Sequence, residues 1–387
     1  MNYLIADLNI KLDGHKYGFV QNIIDYLSEE NYPHSFYFLV NKSPEFVLKD
    51  PAKENIRIIC LTDAEQSASD LESKLLKKSS LQWQFISAYC SRLEIDRLIL
   101  MELDLYQVAL GRKASPFEIS GIWFRPHCRS LPEHNTIKDV LKHKLWMIQK
   151  EVLIRSALRN RNLQKVFVLN DNKVVDQMNH RCHQRFFYLP DPVFDYPHDA
   201  GFNVRKAYDI EEGRVVFLLF GYIDERKNVQ NIIRALNTLE DKDAEKVCLL
   251  IIGKFAPGFQ KILTSEFKQE KAYQVVMNDQ FVSDSEMESV FEQCDVSLRM
   301  NINFFGSSGI IGTAAKYNKP SIVSDFGIVA ELTEKYKLGE LVDPYSISGI
   351  KEKILYFLAG PQNRQIDGQA YYKAHDREAY VKTLLDL

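Results

Sequence analysis

Five short apolar runs in the second half of the chain constrain its fold more than any other feature. They are VVFLLF (Val215 to Phe220), VCLLII (Val247 to Ile252), QVVM (Gln274 to Met277), DVSL (Asp295 to Leu298) and SIVS (Ser321 to Ser324). A strand buried on both faces reads as an unbroken apolar run, and such strands belong to parallel sheets covered by helices. The stretches between them supply those helices. Val229, Ile232, Ile233 and Leu236 fall at helical spacing, as do Met287, Val290, Phe291 and Cys294, the second set behind a capping box from Ser283 to Glu286. This alternation predicts a Rossmann-like α/β layer.

The first half repeats the pattern less cleanly. Apolar runs stand at Tyr3 to Leu8, Ser35 to Val40, Arg97 to Met101, Ser120 to Phe124 and Lys165 to Leu169, with Val20, Ile23, Ile24 and Leu27 marking a helix after the first. After Leu189 comes PDP and then FDYPHDAG, where proline fixes the backbone and the apolar period disappears. The 387 residues suffice for two cores at about 150 residues each. The reading is therefore a first Rossmann-like domain over 1–192, a second over 193–360, and a tail over 361–387 that packs back on the first.

Net charge is −3, from 49 basic against 52 acidic residues, which lacks the electrostatic footprint of a nucleic-acid binder. Small molecules are the expected partners, with no nucleic acid among them. The six cysteines are scattered and form no CxxC pair, which fits a reduced compartment and excludes a zinc ribbon. The start of the chain has no room for a signal-peptide apolar region, and no stretch approaches the roughly 18 apolar residues of a span. The expectation is a cytoplasmic protein, or one peripheral at the inner face of the membrane.

Two segments suit an anionic ligand. FGYIDERKN (Phe220 to Asn228) leaves a strand and enters a helix, placing Arg226 and Lys227 where free amides and the helix dipole favour phosphate. A solvated charge run accounts for the same residues equally well. In NFFGSSGIIGTAAKYNKP (Asn303 to Pro320), Ser307, Ser308 and Gly309 open a helix that begins with Ile310 and carries Thr313. Serine hydroxyls and a bare glycine backbone make a second phosphate cradle, against the plain alternative of a serine N-cap. Both loops follow parallel strands, where open α/β sheets place ligands.

From about Arg205 to Leu358 the chain resembles the family 4 glycosyltransferases. The resemblance rests on FGYIDERKN, IIGKFAPG (Ile251 to Gly258), FVSDSEMESVFEQCDVSL, the GSSG helix, KPSIVSDFGIVAEL and LGELVDP in that order. It implies a GT-B fold, two Rossmann-like α/β domains facing each other across a cleft, and metal-independent transfer of a sugar from a nucleoside-diphosphate donor with retention. It implies that Lys227 and Arg226 hold the diphosphate with the Ser307 to Ile310 segment, and that Lys254 and the Phe281–Ser283 segment, with Val282, border the base. Gly327 and Glu331 would form the family's GxxxE turn. Two departures stand out: Tyr222 occupies the place of the usual arginine, and the paired glutamates are missing, with no Asp or Glu between Asp295 and Asp325. Ser307, Ser308 and Thr313 could replace some of their hydrogen bonds, but not charge-assisted ones.

In the first half the resemblance is architectural. Gly14, in DGHKYG, matches the family's glycine loop and would approach the donor phosphate, while His15 reads as a polar loop residue. His127, in FRPHCR, matches a histidine near the donor sugar and is the candidate catalytic residue, with Arg125 and Arg129 adding positive potential. HRCH (His180 to His183) lacks the further ligands a zinc site needs, so no metal is expected. The segment 138–165 holds eight basic and two acidic residues among leucines, the composition either of a helix touching an anionic membrane or of a crossover helix with a solvated face. The leading function is a retaining glycosyltransferase with no cofactor, a UDP- or GDP-linked sugar as substrate, and a glycan or lipid-linked acceptor. The alternatives are a non-catalytic glycosyltransferase-like subunit and, less well supported, a sugar-phosphate epimerase or phosphorylase.

Overall fold

The computed structural model describes residues 1–11, 16–43, 46–51, 53–112, 115–132, 136–182, 184–267 and 272–387. The chain divides into two compact units, Met1–Pro192 with Arg377–Leu387, and Val193–Asp376. Residues 361–376 therefore stay with the second unit, and only the last eleven belong to the first.

The first unit is built on seven parallel strands: β1 (Asn2–Asp7), β2 (Ser35–Val40), β3 (Ile56–Cys60), β4 (Arg97–Leu100), β5 (Glu118–Ile122), β6 (Leu163–Leu169) and β7 (Phe186–Leu189). Their order across the sheet is β3-β2-β1-β4-β5-β6-β7. Leu4, Ala6, Leu98, Leu100, Val166 and Val168 form the core with Trp83, Ile86 and Cys90 of the helix Leu75–Arg92. The final helix, Arg377–Leu385, completes this unit: Tyr380 is buried with its ring 5.5 Å from that of Phe19, and Asp386 pairs with Lys165 at 2.8 Å.

The second unit carries β8 (Val215–Phe220), β9 (Val247–Ile252), β10 (Gln274–Asn278), β11 (Val296–Arg299), β12 (Ser321–Ser324) and β13 (Gly339–Val342), all parallel, in the order β10-β9-β8-β11-β12-β13. Most of the runs expected to be doubly buried are so, with every residue of β9 and β11 buried, but β10 lies at the sheet edge and each of its residues is half-buried. Helix Val229–Leu236 buries Val229, Ile232, Ile233 and Leu236 as their spacing requires. At Ser283 the hydroxyl accepts from the Glu286 amide, but the Glu286 carboxylate is engaged with the Tyr208 hydroxyl at 2.5 Å. The expected capping box is thus half made, because a partner 78 residues away takes its acid.

Strand order reverses beside β8, with β9 and β10 on one side and β11 to β13 on the other. Helices that leave such a pair of strands on opposite faces open a crevice at the strands' carboxyl ends. That crevice receives the loops after Phe220 and Arg299.

Candidate functional site

The loop after β8 is shaped by two glycines. Gly221 has φ +107° and donates its amide to the Ile252 carbonyl at 3.0 Å; Gly253, after β9, has φ +137°, and a Cβ there would stand 1.8 Å from the Gly221 carbonyl oxygen. Only glycine permits that approach. The chain then pairs Ile223 with the Lys254–Ala256 stretch and makes one 3₁₀ turn, Glu225–Lys227, which ends at Asn228 in the left-handed conformation. Asn228 fixes the turn by donating its side-chain amide to the Pro344 carbonyl at 2.7 Å.

This geometry turns Lys227 back toward the strand end. Its Nζ donates to the Phe220 carbonyl at 2.5 Å, and the residue is only 6% exposed. Arg226 and Lys227 thus precede helix Val229–Leu236 in a separate turn and do not sit in its first turn as the sequence suggested.

On β11, Leu298 enters the apolar core, as does Met300 just beyond the strand, while Ser297, Arg299 and Asn301 alternate with them. Arg299, 7% exposed, donates from Nε to the Ser308 hydroxyl at 2.7 Å. The Phe304 ring lies between two cations, 4.8 Å from the Arg299 guanidinium and 5.5 Å from that of Arg226. The Ile302 amide donates to the Arg226 carbonyl at 3.0 Å, tying the two loops together.

Three cations thus face one carboxylate, Asp224, which lies 3.5 Å from Arg226. Burial, then Arg299 and Arg226, hold the Lys227 ammonium well below the usual lysine range, with Asp224 opposing. Burial, then Arg226, brings Arg299 down to about 9, so it is charged at neutral pH. Like charges gathered in a poorly hydrated place repel, and an anion relieves them.

Helix Gly309–Lys316 begins at this cluster. Ser308 makes no side-chain cap, so its hydroxyl leaves the first amides, those of Gly309 and Ile310, uncapped. Thr313 donates its hydroxyl to the Gly309 carbonyl at 3.2 Å, which commits it to its own helix. Ser307 is half-buried and engaged with other groups. Arg226, Lys227, Ser308 and the start of this helix therefore converge.

Other expected residues are differently placed. Lys254 is half-exposed and pairs with Asp279 at 3.1 Å, and Val282 packs against the apolar layer of Val216, Leu218 and Leu250. Gly14 lies outside the described residues, as does His183 of HRCH. Among the described residues no group of three or more His, Cys, Asp or Glu could hold a metal ion. His127 does not stand at an open edge: it is 3% exposed, its Nε2 bonded to the Glu151 carboxylate at 2.9 Å and its Nδ1 buried with no partner among the described residues. Burial lowers its pKa against the opposing pull of Glu151. Glu151 comes from helix Ile137–Ala157. Arg129 is likewise committed, to Asp171 at 2.6 Å.

Beside the cluster, Asp224, Arg226, Pro257, Phe259, Ile262 and Asn303 line an open cavity of ≈ 550 Å³. The residues missed by sequence reasoning are Arg299 and Asn301.

Residues 202–374 match the family model described as glycosyl transferases group 1. That span holds the whole cationic cluster and both loops. No protein of curated function matches the sequence. The fold is that of GT-B glycosyltransferase structures, two parallel α/β sheets in one chain. Sucrose-phosphate synthase from Thermosynechococcus elongatus is similar with a TM-score of 0.71 at 14% identity, covering 100% of this chain and 97% of that one. WaaG, a glycosyltransferase involved in lipopolysaccharide biosynthesis, gives 0.65 at 13%, covering 100% and 98%. A structure from E. coli described as trehalose-6-phosphate bound with UDP-2-fluoro glucose gives 0.66 at 11%, with the same coverage.

Proposed function

We propose that this chain is a retaining, metal-independent glycosyltransferase that takes a UDP- or GDP-linked sugar and passes the sugar to a glycan or lipid-linked acceptor. The observation that carries this reading is the buried Lys227 beside Arg226, at the switch point of a sheet whose region matches glycosyl transferases group 1. Breaking the bond from the anomeric carbon to the diphosphate oxygen builds negative charge on the leaving group. Fixed cations and the uncapped amides of Gly309 and Ile310 stabilise such charge without reorganising. The acceptor hydroxyl would then attack from the side the diphosphate leaves.

A surface of the first unit supports an acceptor at a membrane. Ile137, Leu141, Leu145, Ile148 and Val152 are all between 58% and 89% exposed, and their spacing sets them on one face of helix Ile137–Ala157. By the same periodicity Lys138 and Lys142 run along one flank of this stripe, and Lys144 and Arg155 along the other. An apolar stripe edged by cations suits an anionic lipid surface. Among the described residues no helix is long and apolar enough to cross a membrane.

One observation favours a second reading, a non-catalytic subunit that binds acceptor or a partner protein: no Asp or Glu lies between Asp295 and Asp325 to hold the sugar. Calorimetric binding of UDP, GDP and ADP to the wild type and to Lys227→Ala separates the two. One nucleotide binding, and losing its affinity in the variant, supports the transferase. No binding at millimolar nucleotide would leave the non-catalytic reading.

A further inference from the structure

The cluster holds a group that neither the sequence motifs nor the reading above uses. Arg299 ends β11, flanked by Leu298 and Met300 in the apolar core. An ionised guanidinium so deeply buried ordinarily has a carboxylate, yet among the described residues none pairs with Arg299 within 4.0 Å. Among the described residues its one hydrogen-bonded partner is Ser308, and its Nη1 is buried with none.

Two other orphaned groups belong to the cluster: Asn301, two residues on in the chain, and Asp224, whose charge acts on Arg299. Asn301 is 3% exposed, and neither atom of its side-chain amide finds a partner among the described residues; the same holds for Asp224 Oδ1. Buried polar atoms without partners are rare and mark strain or an unfilled site. Here they occur at the carboxyl ends of two adjacent strands, β8 and β11, together with the ammonium that burial and two arginines depress.

Charge points the same way. Arg226, Lys227 and Arg299 against Asp224 leave a net charge of +2 when all four are ionised. The diphosphate of a nucleotide sugar carries two ionised oxygens. Arg299 also acts on the helix: by donating to Ser308 it engages the hydroxyl that would otherwise cap Gly309–Lys316, so the first amides stay available to the same anion.

We propose that Arg299 holds the donor diphosphate directly through Nη1, with Asn301 beside it, so that the anion is gripped from β11 as well as from the loop after β8. This rests on the donor-site reading above. No bond is made or broken by Arg299; it binds charge and positions Ser308.

The test uses Arg299→Met and Arg299→Lys in the full chain, with calorimetry for UDP, GDP and ADP, and thermal unfolding with and without inorganic pyrophosphate. A charge-assisted contact predicts that Arg299→Met weakens the preferred nucleoside diphosphate roughly ten- to a hundredfold and that Arg299→Lys recovers part of the loss. It also predicts that Arg299→Met does not lower, and in the apo protein raises, the unfolding temperature, because a self-repelling buried cation is removed. A purely structural arginine gives the opposite, a lower unfolding temperature with affinity per folded molecule unchanged, and that result overturns the proposal. If no nucleotide binds the wild type but pyrophosphate stabilises it and not Arg299→Met, the donor reading fails while the anion-holding role of Arg299 stands. If pyrophosphate stabilises both equally, the role of Arg299 fails.

Discussion

Binding of a nucleoside diphosphate should take up a proton. In the free protein Lys227 is buried beside Arg299 and Arg226, which hold its pKa well below the lysine range. A bound diphosphate reverses that environment by placing two or three negative charges against the ammonium, which raises the pKa. Between the free and bound values each binding event then captures up to one proton, and affinity falls by as much as tenfold per pH unit, about 1.4 kcal/mol. The assay is calorimetry with the preferred nucleotide in pairs of buffers of different ionisation enthalpy, from pH 7 to 8, below the value of about 9 to which burial brings Arg299. That range avoids the terminal phosphate, whose own proton leaves near pH 6. Lys227→Arg should bind without the lysine's share of the uptake, since arginine keeps its proton throughout. Undiminished binding with no buffer dependence anywhere in this range would refute the reasoning, because the ammonium would then be ionised in both states.

Three further outcomes follow from particular contacts. Gly253→Ala should cost roughly 3 kcal/mol of stability, from a positive φ and a Cβ driven onto the Gly221 carbonyl, and should displace the loop that carries Lys227; a denaturant midpoint within error of wild type would contradict it. His375 is fully buried and stacked on Tyr371 at 3.9 Å, and burial lowers its pKa to about 4. Because its folded value lies below the unfolded 6.5, its contribution is complete above 6.5 and is lost as pH falls toward 4, by roughly 3 kcal/mol; His375→Phe should flatten the unfolding temperature over that window. On helix Ile137–Ala157, Leu145→Glu with Ile148→Glu should abolish sedimentation with anionic phospholipid vesicles while leaving nucleotide affinity unchanged, and equal sedimentation of variant and wild type would dismiss the lipid-facing stripe.

Which strands could be read from the sequence depended on their position in the sheets. The runs at β8, β9, β11 and β12, and five of seven in the first unit, announce themselves because burial on both faces demands unbroken apolar sequence, while β10 was legible at a sheet edge only because its own sequence stays apolar. The strands that escaped notice, β3, β7 and β13, are all edge strands. One side of an edge is open, so β3 tolerates Arg57 and an exposed Cys60, and β13 tolerates Gly339 and Glu340. Side-chain partners were less legible still. Glu286 looked like a cap and His127 like an open histidine until Tyr208 and Glu151 arrived from other elements.

Arg299 left a trace that a period-two reading would have caught. In VSLRMN (Val296 to Asn301), Ser297, Arg299 and Asn301 alternate with Val296, Leu298 and Met300, on a strand whose neighbours on both sides mark it as interior. Polar residues at every second place of an interior strand face something other than apolar core. A search for carboxylates in this stretch passed over the cation that stands there instead.

The lack of Asp and Glu between Asp295 and Asp325 and the presence of Arg299 push the site in one direction. An intact nucleotide sugar would present two negative charges to a centre of net +2 once Lys227 has taken up its proton, whereas the departing nucleoside diphosphate would present a third. At roughly 5 Å and an effective dielectric of about 20, each extra unit of charge interacts with one net unit by about 3 kcal/mol. On the proposed reading, the centre would bind the leaving group, and the transition state that resembles it, more strongly than the donor, which is the condition for acceleration. The same preference holds the product back. If the chain transfers sugar, the nucleoside diphosphate should inhibit it at concentrations well below the KM of its own sugar donor, and raising the ionic strength should weaken that inhibition only slightly, since the buried charges are poorly screened. Removing Arg299 should relieve the inhibition and slow the chemical step together. Single-turnover and steady-state rates of Arg299→Met would show it: relief of inhibition without a slower single turnover would mean that Arg299 holds the product but not the developing charge.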